Sequence, residues 1–107
     1  MAESLKPEDE LAIDFQRDID GLIYSFNRNG ERNGKPKWRR IDLNLELHWS
    51  DNWGWIVTDE DGNLLSLSWD KGKDHQGNTP PDGVWVSRKG SKSYVYSLRY
   101  VGAAGSA

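Results

Sequence analysis

KWRRIDLNLELHWSDNWGWIVTDEDGNLLSLSW, residues 37–69, decides the fold. Ile41, Leu43, Leu45, Leu47 and Trp49 alternate with Arg40, Asp42, Asn44, Glu46 and His48, the period-two pattern of a strand with one dry and one wet face. A three-residue connection at Ser50, Asp51 and Asn52 sets Trp49 opposite Trp53, Leu47 opposite Trp55 and Leu45 opposite Val57. The next turn, Asp59-Glu60-Asp61-Gly62-Asn63, has the Asp and Gly of a type I turn closed by a bulge. Pairing Asp59 with Asn63 sets Val57 opposite Leu65, Trp55 opposite Leu67 and Trp53 opposite Trp69. A two-residue turn at Asp61-Gly62 would place Ser66 and Ser68 beside Trp55 and Val57 and split the apolar set, because a slip of one residue inverts every side chain. The three-residue loop is preferred. Three antiparallel strands result, with one face to be covered.

Upstream, Pro7 followed by Glu8, Asp9 and Glu10 reads as a helix start, since proline suits the first turn and acids complement the dipole. Leu11, Phe15, Ile19, Leu22, Ile23 and Phe26 recur at steps of three and four. Asn29-Gly30 supplies a terminator. The spacing predicts a helix over 7–29, roughly 32 Å long at about 1.5 Å per residue, with Gly21 inside it.

Residues 31–36 read as a connector, and 70–82, DKGKDHQGNTPPD, as a long loop rich in turn formers. A loop of that length without secondary structure is functional or mobile. A last hairpin covers 84–101. A three-residue loop groups Val84 and Val86 with Tyr94, Tyr96, Leu98 and Tyr100, whereas a loop of two or four groups Trp85 with the tyrosines. Both faces are apolar either way, which points to a covered second face. The fold class expected is α+β, one long N-terminal helix packed on a four- to five-stranded antiparallel meander sheet. Residues 1–107 form a single domain, with the sheet over 37–101 and a frayed tail at 102–107.

The chain has no cysteine, which excludes disulfides and thiolate metal sites and fits a cytoplasmic setting. No apolar run approaches the roughly 20 residues of a membrane span, and no membrane association is expected. The formal net charge is −3, unevenly spread. Residues 1–20 hold seven acids against Lys6 and Arg17, residues 28–40 six bases against Glu31, and residues 83–107 Arg88, Lys89, Lys92 and Arg99 without an acid. Such asymmetry marks either an anion-facing surface or ordinary solubility.

Six tryptophans in 107 residues is a heavy aromatic load. Trp49, Trp53, Trp55 and Trp69 fall on the dry face as core. Trp38 and Trp85, with Tyr94, Tyr96 and the loop residues Asp74 and His75, form the expected ligand-binding set, rings at a sheet rim able to floor a pocket. His48 with Glu46, two residues apart on one wet face, is the weak catalytic candidate, because a neighbouring carboxylate raises an imidazole's pKa. An exposed strand histidine is the bland alternative. Phosphate loops, nucleophile elbows, HExxH and paired cysteines are all missing, and the reading leans away from an enzyme. No cofactor or metal is expected.

These features favour a non-catalytic binding protein that self-associates as a homodimer or higher oligomer and takes a protein or small-molecule ligand. The alternative is a single-stranded nucleic-acid binder using Arg88, Lys89, Lys92 and Arg99 beside the rings of the last hairpin. An acid–base enzyme comes third.

Overall fold

The apolar stripe between Leu11 and Phe26 belongs to strands and a turn, not to a helix. In the computed structural model, which describes residues 12–101, Ala12–Arg17 forms β1 and Ile23–Arg32 forms β2. Ile13 and Phe15 point inward on β1, and Tyr24 and Phe26 on β2, so the same residues satisfy period two. Ile19 and Leu22, which completed the helical spacing, are exposed on the connection. Asp20 accepts from the Leu22 N–H at 3.2 Å and from Arg17, and Gly21, at φ +73°, turns the chain back. A D-x-D-G turn therefore interrupts the segment, and the helix over 7–29 and the α+β class are corrected. Residues 7–11 and the tail 102–107 lie outside the described residues.

Six more strands follow: β3 (Lys35–Arg40), β4 (Glu46–Ser50), β5 (Gly54–Thr58), β6 (Leu64–Ser68), β7 (Gly83–Lys89) and β8 (Lys92–Val101). Each pairs antiparallel with its neighbour in sequence, and β8 returns to β1, closing an all-β eight-stranded barrel. Closure removes both free sheet edges. β2 turns into β3 at Asn33-Gly34, with Asn33 at φ 57° and Arg32 paired to Lys35. That is the hairpin turn Asn-Gly favours.

Three registers differ from the expected ones, each for a local reason. The alternating run from Ile41 breaks, because the Arg40 N–H donates to the Leu45 carbonyl at 3.0 Å and reverses the chain, leaving Ile41 and Leu43 exposed. Ser50 pairs with Gly54, so Trp49 faces Trp55 and Leu47 faces Val57. This two-residue displacement keeps the expected faces but moves Trp53 into the exposed turn. Between β5 and β6 the Asp59–Asn63 turn forms as expected, yet Thr58 pairs with Leu64 and Val57 with Ser66, so a bulge at Leu65 inserts one residue. Beyond it every side chain inverts: Ser66 and Ser68 turn inward, and Leu67 and Trp69 outward. In the last hairpin, a two-residue turn at Gly90-Ser91 sets Trp85 opposite Tyr96, with Val86 and Val95 outside.

The barrel interior is the core, with Trp38, Leu47, Trp55 and Trp85 fully buried. At one end the 14-residue connection 69–82 folds back as a plug. Gln76 Oε1 accepts from the Trp55 backbone N–H at 2.8 Å, and the Gly77 carbonyl accepts from the Trp55 indole at 3.1 Å. The Trp85 indole donates to the Pro81 carbonyl at 2.9 Å, the Tyr100 hydroxyl donates to the Pro80 carbonyl, and Pro80 itself is buried. The long loop is structural cover. Buried indole and phenol groups need such acceptors, and the loop supplies them.

Candidate ligand cavity in the open barrel mouth

At the opposite end the four strand connections are only two to five residues long. Between them lies a cavity of about 230 Å³ inside the barrel. An eight-stranded barrel is just wide enough either to fill with side chains or to hold one small ligand. Here the filling is incomplete at this end, whereas the indoles of Trp55 and Trp85 are tied to the plug at the other.

The cavity floor is aromatic. Phe15 packs against Phe26 in a tilted pair at 5.2 Å and meets Trp85 edge-on at 5.2 Å, while Tyr96 lies 6.0 Å from both Phe15 and Tyr24. Val57, Leu45 and Leu65 complete the apolar wall. Ser66 and Ser87, paired across β6 and β7, bring two hydroxyls into the lumen and hydrogen-bond to each other. The bulge at Leu65 is what turns Ser66 inward, so it also places this polar spot.

Arg40 lines the cavity at its rim, and Arg17 stands beside it. The Arg40 guanidinium lies over the Tyr24 ring at 4.0 Å, and Arg17 lies over Tyr24 at 5.7 Å and Tyr94 at 5.1 Å. Each has an acid on the adjoining loop: Arg40 Nε donates to Asp42 at 2.6 Å and Arg17 Nη2 to Asp20 at 2.7 Å. The cations are the covered partners. Side-chain exposure is 9% for Arg40 against 61% for Asp42, and 14% for Arg17 against 41% for Asp20. The hydrogen bonds from Arg17 and Arg40 hold the carboxyls of Asp20 and Asp42 below the usual carboxylate range. Burial pushes the Tyr96 phenol up, and the nearby Arg17 charge offsets part of that. Arg40 and Arg88 line the cavity, and among the described residues no carboxylate does.

The structure separates the residues expected to act together. Tyr96 lines the cavity and Tyr94 stands beside it under Arg17. Trp38 and Trp85 are fully buried core, while Asp74 and His75 sit exposed on the short turn Lys73–His75 of the plug, at the other end. Among the described residues no group of three His, Asp or Glu side chains is placed to hold a metal. Arg88 reaches the cavity rim, Lys92 and Arg99 are exposed, and the β7–β8 register pairs Lys89 with Lys92. Tyr94, Tyr96 and Tyr100 face into the barrel, so these rings and the exposed Arg99 do not share one outer surface.

His48 lies on the outer face but is buried, with Nε2 3.0 Å from the Thr58 hydroxyl and Nδ1 3.3 Å from the Trp49 carbonyl. Burial lowers its pKa, the opposite of the expected carboxylate effect. Glu46 is instead engaged by Lys37 at 2.8 Å and Arg32 at 2.6 Å; these bonds outweigh its own desolvation and hold its carboxyl low. Both members of the pair are committed to structure. Sequence reasoning missed Phe15, Tyr24, Phe26, Arg40, Ser66 and Ser87. The signal available for the first three was the alternation Ile13/Phe15 and Tyr24/Phe26 on either side of D-x-D-G.

No family model matches this chain, and comparison with curated proteins and with solved structures returns no significant match. Among the described residues no helix is long and apolar enough to cross a membrane.

Proposed function

We propose that the protein is a non-catalytic small-molecule binder whose site is the barrel lumen at the open mouth. The observation that carries this is the asymmetry of the filling: one end is sealed by tryptophans and the 69–82 plug, while the other keeps an aromatic cavity of about 230 Å³ with two hydroxyls inside. Apolar walls with few placed polar groups are what small-ligand sites share. The volume suits one ring with a short substituent. Calorimetric titration with phenylacetamide tests this, comparing the wild type with Ser87→Phe, which fills the lumen. Saturable binding lost in a variant of unchanged circular dichroism supports the reading; equal binding in both sinks it.

Self-association through the sheet's second face carries over as a separate proposal. Leu67, Val86 and Val95 stand in register across β6 to β8 on the outer face as an apolar row, with Ile56 buried beside it. Sedimentation equilibrium should show mass above the monomer that falls on Val95→Lys; a monomer at all concentrations removes the proposal.

A further inference from the structure

We infer that the lumen selects a monoanionic ligand, a ring or short chain ending in a carboxylate that replaces Asp42 on the Arg40 guanidinium. The inference rests on the lumenal reading above and assigns its ligand class. Among the described residues that line the cavity, Arg40 alone combines a fixed positive charge with near-complete cover, since Arg88 is exposed. A guanidinium held over a tyrosine ring is oriented as well as charged. Its present anion is a poor match for that environment: Asp42 is two residues away on the loop and 61% exposed, so its Coulomb attraction is spent largely against water. A ligand carboxylate arriving from the lumen meets the same two donors, Nε and Nη2, which now hold Asp42 at 2.6 and 3.1 Å. It does so on the drier side, where bidentate charged hydrogen bonds are stronger. Among the described residues no carboxylate lines the cavity to repel it. Arg17, 5.7 Å from the Tyr24 ring and likewise joined to an exposed acid, adds positive potential at the rim. The serine pair lies deeper, so the apolar body of the ligand enters first and the anion stays at the mouth.

The test compares phenylacetate with its neutral isostere phenylacetamide by calorimetry, at low and high salt. Phenylacetate is expected to bind at least roughly tenfold tighter, with the advantage shrinking as salt rises. Arg40→Gln should erase the difference, and Asp42→Asn should tighten phenylacetate by removing its competitor. Equal affinity for acid and amide overturns the anion assignment while leaving the lumenal site standing. Binding of neither compound overturns both. A preference that survives in folded Arg40→Gln overturns the role of Arg40, and should that variant not fold, a salt-independent preference in the wild type does the same.

Discussion

The two ends of the barrel solve the same problem of buried polarity in opposite ways. At the plugged end, Trp55, Trp85 and Tyr100 donate to carbonyls of the loop 69–82, acceptors built into the chain and largely shielded from water. At the open end, Arg17 and Arg40 are covered by rings and meet carboxylates that stay in solvent. Backbone acceptors cannot leave; a surface aspartate can. The first end is a finished core and the second retains an exchangeable partner, which is why stability should concentrate at one end and binding at the other.

That contrast can be broken most forcefully at the plugged end. Trp55→Ala removes a fully buried ring in contact with Trp38 and Trp49, and should cost about 3–5 kcal/mol in denaturant unfolding. A loss below about 1 kcal/mol would mean that this end is not core. Next in size is Gly54→Ala. Gly54 has φ +84°, and an added Cβ would collide with the Gln76 carboxamide that anchors the plug, so a loss of about 1–3 kcal/mol is expected, with faster proteolysis within 70–82.

A smaller effect concerns His48, whose folded pKa lies below its ordinary value because burial disfavours the charged form. The unfolded chain therefore binds a proton that the folded chain resists. The stability it contributes is complete above the unfolded value of about 6.5 and is lost as pH falls through the folded pKa. Melting temperature should fall on acidification over that window, and His48→Gln should flatten the slope. An unchanged slope would show that His48 titrates normally. Smallest of all, Asp42→Asn should leave the melting temperature within measurement error, because an exposed partner adds little. A clear drop would make the rim ion pair structural and weaken the exchange idea.

Much of the sheet was legible in residues 37–69, because alternation and turn chemistry agree there: Leu45, Leu47, Trp49, Trp55 and Val57 do share the inner face, and the Asp59–Asn63 turn forms. The first strands were not, because Phe15, Ile19, Leu22 and Phe26 satisfy the helical period by coincidence while the turn at Asp20-Gly21 sits between them. Asn33-Gly34 announced a hairpin, yet a helix ending at Asn29 made it look like a connector. The bulge at Leu65 leaves no mark in composition. It nevertheless decides that Ser66 and Ser68, not Leu67 and Trp69, face inward. The site was legible only at Tyr96 and its neighbour Tyr94, since Arg40 reads as a wet-face residue unless the run is broken at 41–45, where the Arg40–Leu45 turn resets the alternation.

A ligand that enters the cavity perturbs the residues lining it, and amide chemical-shift mapping during phenylacetate titration reads that directly. Shifts centred on Phe15, Phe26, Arg40, Val57, Ser87 and Tyr96, with Trp55 and Gln76 unmoved, are the predicted result. Shifts centred on residues 70–82 or on the outer face around His48 would contradict it.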